Sequence, residues 1–417
     1  MLFTATSLDI SPSNPMPLSG WSHRTSDFKS IKLGLEANIL IFDQKETLYI
    51  IISVDCLFIG SKLKKVITNK LNEHNIRCND DNILLLASHT HFAPGLDENK
   101  PELGKIDKTY IDQTFNKIAD ACLNQIKTGF KNGSLQYLKG AYSKVINRRR
   151  KICQYRKNIF KWNQKVVIGP NILGPKNDDI HLIKLIDDEA NCSCVFWSFA
   201  SHPVDEPELT KLSSEYIGIV RNHLRRSLNT NIPIIFAQGF AGNIRAKLNP
   251  ELDSLSSKLK TILKLPDEFE AEPENYKQWC SGLLNAIDNT LSSNPRNIKG
   301  KTLNNQITYI PLKELIHNYK GPVNDLKIQK WQFGGVLLVC MSAEPVTEYY
   351  NILKPFIKDD FIPIGYTADS FGYLPVSKQV KEGGYESEGF FTLFSIDGKF
   401  KDKLEEKVMA YLYQSNS

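Results

Sequence analysis

Cysteine is sparse in this chain, eight among 417 residues. Only Cys192 and Cys194 stand close together, and no CxxC pair occurs. A disulfide framework is therefore not what organises it, and a reducing, cytoplasmic setting is the expectation. No stretch approaches the roughly 18 apolar residues of a membrane-spanning helix. The opening Met1-Leu2-Phe3-Thr4-Ala5-Thr6 has neither a positive start nor a long apolar run, so no secretory leader is expected. Fixed-period repeats and low-complexity segments are missing too. The formal net charge of +6 is spread over many Lys and Arg, with no nucleic-acid-reading module beside them, so no nucleic-acid partner is expected.

What is present is a length that buries a large core. Apolar runs read as strands near Leu33–Phe42, Leu48–Val54, Ser134–Tyr142, Ile180–Ile186, Cys194–Ala200, Pro233–Ala237, Asn305–Ile310, Val336–Met341 and Pro363–Thr367. Helical spacing marks Ser61–His74, Asp107–Phe130, Ser214–Arg225, Leu252–Lys264, Tyr276–Leu291 and a segment after Glu344. The alternation predicts an α/β fold, a central mixed β-sheet flanked by helices. With no Pro/Gly/Ser linker, residues 1–417 are expected to form one domain.

The most informative stretch is Asn82–Gly95, an apolar run that ends in His89-Thr90-His91 and then Pro94-Gly95. Two histidines two apart in an extended segment point the same way. That suits a metal site with an acid/base partner, although a lone HxH is more often structural. Asp55, His89, His202, Gln238 and Glu344 all fall where apolar runs stop. Ligands of open α/β sheets bind outside strand ends, which strengthens the site reading. His74, His181, His223 and His317 lack such a context.

Four stretches in order, Ala87-Ser88-His89-Thr90-His91, Ser201-His202-Pro203, Phe236–Asn243 and Tyr366–Tyr385, resemble the neutral, non-lysosomal ceramidase family. Gly20-Trp21-Ser22-His23-Arg24 and Ser53-Val54-Asp55 resemble that family's start. The likeness runs from about residue 3 to about residue 400 and covers only the family's N-terminal catalytic domain. No C-terminal immunoglobulin-like domain is expected. The resemblance implies one Zn²⁺ per chain, held by His89, His202, Glu344 of Ser342-Ala343-Glu344-Pro345, and Tyr373, which stands twelve residues before Tyr385. It assigns His91 to proton transfer, and Tyr385 and Arg148 to the substrate head and the developing oxyanion. Gln238, Gly239, Gly242 and Asn243 would form a tight loop beside the substrate. His23 reads equally as a pocket wall and as a solvated loop histidine.

One position departs from the pattern. Arg245 stands where the family carries a serine. A guanidinium is no nucleophile, so attack by zinc-activated water is expected, and Arg245 is suited to a carboxylate or phosphate. The expectation is a zinc-dependent amidohydrolase acting on a small polar or anionic N-acylated molecule, such as an N-acetyl amino sugar. The alternatives are ceramidase-type cleavage of an N-acyl sphingoid lipid and a non-catalytic zinc-binding relative. The run Arg148-Arg149-Arg150-Lys151 reads first as a solvated cluster, and second as an attraction for an anionic substrate or a membrane surface.

Overall fold

The computed structural model describes residues 1–156, 161–248, 272–298 and 303–414. The strands that position the site are, in chain order, β1 (Leu2–Asp9), β2 (Glu36–Gln44), β3 (Thr47–Val54), β4 (Ile83–Ala87), β5 (Lys131–Ala141), β6 (Val145–Arg156), β7 (Lys161–Asn171), β8 (Asp179–Asp187), β9 (Cys192–Phe199), β10 (Ile234–Gln238), β11 (Leu303–Pro311), β12 (Asp325–Phe333), β13 (Val336–Met341) and β14 (Asp360–Ile364).

The main sheet runs β10-β9-β8-β5-β1-β2-β3-β4. It is mixed, since β4 lies parallel to β3 and β10 parallel to β9, while the other neighbours are antiparallel. The two ends of this order face each other. The β10 amide of Ile234 donates to the Asn38 side chain of β2 (3.1 Å), and that of Phe236 donates to Ser53 Oγ of β3 (3.3 Å). An edge strand is thereby satisfied by side chains rather than left open. The curl also brings the residues that follow β4 and β9 to one place.

A second sheet, β11-β12-β13-β14, packs on the first through an apolar layer that includes Leu84, Leu86, Ile235, Trp331 and Ile362. Beyond β14 the chain pairs back onto β4. Ala87 N donates to Tyr366 O (3.1 Å), and Ala368 N donates to Leu85 O (3.3 Å). Residues 366–374 are thus delivered to the end of the histidine strand.

The central strands are buried along nearly their whole length, as with Ile39, Ile41, Ile50, Ile52 and Val54, because both faces are covered. One cover is the helix Lys108–Thr128. It buries Ile111, Phe115, Ile118 and Cys122, is capped by Asp107, whose carboxylate accepts from Tyr110 N (2.9 Å), and stops at Gly129.

The expected α/β class and mixed sheet are observed, with element ends shifted by a few residues. Four of these strands escaped the periodicity reading. β1 alternates apolar with Thr4 and Thr6 and reads as a polar lead-in, yet it sits mid-sheet. β6 and β7 form a hairpin whose basic residues hide its β character. β12 is the partner of both β11 and β13. The helix expected at Leu252–Lys264 lies outside the described residues. Among the described residues every cysteine is a free thiol, and no helix is long and apolar enough to cross a membrane.

Trp331 is fully buried in the layer between the sheets, edge-on to Tyr49 at 5.9 Å. Trp331→Ala is expected to cost about 3–5 kcal/mol through the cavity it leaves. The measurement is a downward shift of the urea midpoint.

Candidate metal centre

The strand β4 ends at Ala87, before the histidines. Ser88 N still donates to Val54 O (2.9 Å) and His89 N to Cys56 O (2.8 Å), after which His89 takes a left-handed conformation, φ +65°. The pair therefore does not share a face by strand alternation, as the spacing predicts. The turn at His89 brings the rings together instead, with centroids 5.0 Å apart. His202 follows β9, and its amide donates to Ile244 O (3.0 Å). Its ring lies against His89 with centroids 4.5 Å apart.

All three imidazoles use Nδ1 on a backbone carbonyl. The partners are Leu57 O for His89 (2.9 Å), Gly20 O for His91 (3.1 Å) and Ala241 O for His202 (3.3 Å). A carbonyl only accepts, so Nδ1 carries the proton in each ring and Nε2 is left as a lone pair. Those lone pairs converge. Nε2 of His202 lies 3.1 Å from Nε2 of His89 and 3.3 Å from Nε2 of His91. Nothing between them supplies a hydrogen. A tetrahedral ion with nitrogen ligands at 2.0–2.1 Å would place those nitrogens about 3.3 Å apart. Burial, then His89 and Arg24, hold His91 well below its ordinary pKa. Burial, then Arg148 and His89, do the same for His202.

Glu344 enters from the end of β13. Its Oε2 stands 3.4 Å from His89 Nε2 and has no hydrogen-bond partner among the described residues, though the side chain is buried. A buried orphan carboxylate oxygen is costly unless a cation meets it. The donor set of two buried imidazoles, a third half-buried one and this carboxylate fits a divalent ion.

Tyr373 is the register partner of Glu344 across a short parallel bridge. Its hydroxyl accepts from Arg148 Nη2 (3.0 Å), and its ring lies 5.3 Å from that of Tyr385. Burial raises the Tyr385 phenol to about 12. Arg148 stands on β6, where the register with β7 shifts between Asn147 and Arg149. Such an irregularity re-aims a side chain. Here Arg148 and Arg149, adjacent in sequence, both reach Glu386, Nε to Oε1 at 2.9 Å and Nη1 to Oε2 at 2.8 Å. Burial works against the Arg148 guanidinium, but Tyr373 and Glu386 outweigh it and hold its pKa well above the ordinary value.

The structure thus brings together His89, His91, His202 and Glu344, with Arg148, Tyr373 and Tyr385 alongside. It turns other expected residues elsewhere. The Gln238 amide donates to Ser201 O (2.9 Å), and its carbonyl accepts from Tyr216 (3.2 Å). Asn243 donates to Glu348 (2.8 Å) and accepts from Thr347 N (2.9 Å). Both side chains brace the loops that carry His202 and Glu344. Gly239 closes against Ala200, and Gly242 approaches Glu344 so closely that a Cβ there would sit 2.6 Å from its carbonyl oxygen. Arg245 is ion-paired with Asp205, and His23 is exposed beside Trp21, whose ring lies 5.6 Å from that of His91.

Of the remaining residues around the site, Glu386 had no sequence signal, whereas Tyr366, Arg24 and Asp55 fall in stretches that carried the resemblance. Tyr366 stacks 4.2 Å from the His89 ring. Glu386 joins two arginines, and Arg24 donates to the carbonyls of Ser19 and His91. Asp55 is salt-bridged to Arg221 (2.8 Å) and braces β2 and β3.

No protein-family model matches the sequence, and no curated protein matches it. Solved structures do match. The neutral ceramidase from Pseudomonas aeruginosa is 12% identical with a TM-score of 0.71, over 98% of this chain and 72% of that one. A ceramidase complexed with C2 is 14% identical with a TM-score of 0.69, over 98% and 73%. The chain therefore has a ceramidase-like fold.

Full-length protein purified without chelator is expected to carry one divalent ion per chain. His202→Ala and Glu344→Ala are expected to lose it while keeping the wild-type circular dichroism, which metal analysis and spectroscopy check directly.

Proposed function

We propose that the chain is a zinc-dependent amidohydrolase that cleaves an N-acyl amide to a carboxylic acid and an amine. The observation that carries this reading is the convergence of three unprotonated imidazole nitrogens beside the orphaned Glu344 oxygen. Nitrogen and carboxylate donors suit zinc. His89, His202, Glu344 and Tyr373 would hold it, and bound zinc supplies a lowered water pKa and a polarised carbonyl.

The chain's own residues divide the remaining work. His91 is the least buried of the three imidazoles, and its Nε2 is free of any proton. It takes up a proton there and returns it to the departing amine. Arg148 keeps its charge at any working pH, and Tyr385 stays a neutral phenol, so both can donate to negative charge gathering on the carbonyl oxygen. Arg245 is ion-paired with Asp205, and we give it no part in holding the substrate.

We favour a small polar or anionic substrate of the N-acetyl amino sugar kind. The fold likeness to two ceramidases supports a second reading, cleavage of an N-acyl sphingoid lipid. Zinc-loaded protein assayed for acetate release from N-acetyl amino sugars, and for fatty acid release from ceramide, separates them. Turnover of ceramide alone would replace the first reading with the second.

His91→Ala is expected to keep its zinc but lose about 10²–10⁴-fold in kcat, the usual range for a lost acid/base group. His89→Ala is expected to lose metal and activity together. Loss of metal in both variants would make His91 a ligand rather than a proton carrier.

A further inference from the structure

The strand β6 carries more positive charge than the metal centre uses. Arg148 reaches the site, while Arg149 and Lys151, two apart on the strand, face the helix Ser377–Glu382 and the Gly383-Gly384 turn that follows it. A continuous ladder of ion pairs results. Lys151 Nζ meets Glu382 Oε1 (2.7 Å), Glu382 Oε2 lies 3.7 Å from Arg149, Arg149 meets Glu386 (2.8 Å), Glu386 meets Arg148 (2.9 Å), and Arg148 donates to Tyr373 (3.0 Å).

At the outer end of this ladder lies a cavity of about 530 Å³, lined by Lys151, Gln164, Val166, Lys378, Lys381 and Glu382. That volume is in the range of small-ligand sites. Three ammonium groups and one amide surround a single carboxylate, and that carboxylate is already engaged by Lys151 and Arg149. Among the described residues, neither Lys378 nor Lys381 makes a salt bridge. Glu405, the acid in whose field Lys381 lies, accepts from Ser377 N (2.9 Å) and Oγ (2.5 Å). The floor is apolar. Val166 packs so tightly on Gly384 that a Cβ there would meet it at 2.9 Å. Gly384 is the residue before Tyr385, so Val166 ties the wall of the cavity to the loop that carries Tyr385.

We propose that this cavity is a subsite for a carboxylate or phosphate group carried by the substrate at the end remote from the scissile amide. A concave pocket with excess ammonium charge recognises a discrete anion. The ladder behind it fixes the strand and the tyrosine loop relative to that anion. The proposal rests on the amidohydrolase reading for the identity of the reacting end, and not for the anion site itself.

The test uses metal-free full-length protein, titrated at constant ionic strength with inorganic phosphate and, separately, with acetate. Either is expected to raise the thermal midpoint saturably, and which one does so identifies the group. Lys378→Gln/Lys381→Gln is expected to weaken that binding about tenfold, a loss equivalent to about 1.4 kcal/mol. Arg245→Gln is expected to leave it in place. A response that never saturates, or one equal in all variants, means an adventitious ion only and overturns the proposal. So does binding lost in Arg245→Gln and kept in the double lysine variant.

A second arm compares kcat/KM for N-acetylglucosamine 6-phosphate and N-acetylglucosamine with zinc present. The ratio is expected to fall in Lys378→Gln/Lys381→Gln. If phosphate binding behaves as stated but no N-acyl amide is cleaved, the amidohydrolase reading fails and the anion site stands. If amides are cleaved but phosphate does not bind, the subsite alone fails.

Discussion

Three backbone carbonyls decide what this molecule is able to do. Each takes the Nδ1 proton of one histidine, and so each forces an unprotonated Nε2 toward the same point. The carbonyls come from Leu57, Gly20 and Ala241, which lie in three loops far apart in sequence. Their meeting depends on the main sheet curling until β10 lies over β2 and β3. Gly20 shows how tight the closure is, since a Cβ there would stand 2.5 Å from His91 Nδ1. The cluster is thus a property of the fold, and no local segment contains it.

The second constraint is charge. Glu386 is fully buried and accepts from two arginines at once, which is tolerable only because both of its oxygens are paired. Removing one partner of such a group leaves the other uncompensated in an apolar wall, a larger loss than the pair itself is worth. The irregular register on β6 makes the double contact possible, because regular alternation would send adjacent arginines to opposite faces. The basic run that reads in sequence as a solvated cluster is in fact half interior. Arg148 and Arg149 are buried, and Lys151 is exposed.

The sequence made the α/β class legible through its long apolar runs and its helical spacing. It pointed to His89 and His202 because each follows an apolar run that stops abruptly. Glu344 also follows an apolar run that stops, whereas Tyr373 came only from resemblance, since its place beside Glu344 is set by the chain's return from β14 onto β4. Glu386 carried no signal, because what it does depends on two arginines more than two hundred residues away. The Gln238 and Asn243 side chains show the converse. Their polar character drew attention, while their hydrogen bonds lie within the protein. β1 was missed because threonine at alternate positions looks polar in one dimension and packs well in a sheet.

The separation of the site's parts along the chain has a consequence for folding. His89 and His202 are 113 residues apart, and Arg148 and Tyr373 are 225 apart. Bringing such points together carries a loop-closure cost that rises only slowly with length, so no short piece of the chain reaches it early. An ion held by His89, His202 and Glu344 would tie these loops in the closed chain, stabilising it by binding there and not to the open chain. Among the described residues every thiol is free, so such an ion would be a long-range tie of a kind that no disulfide supplies there.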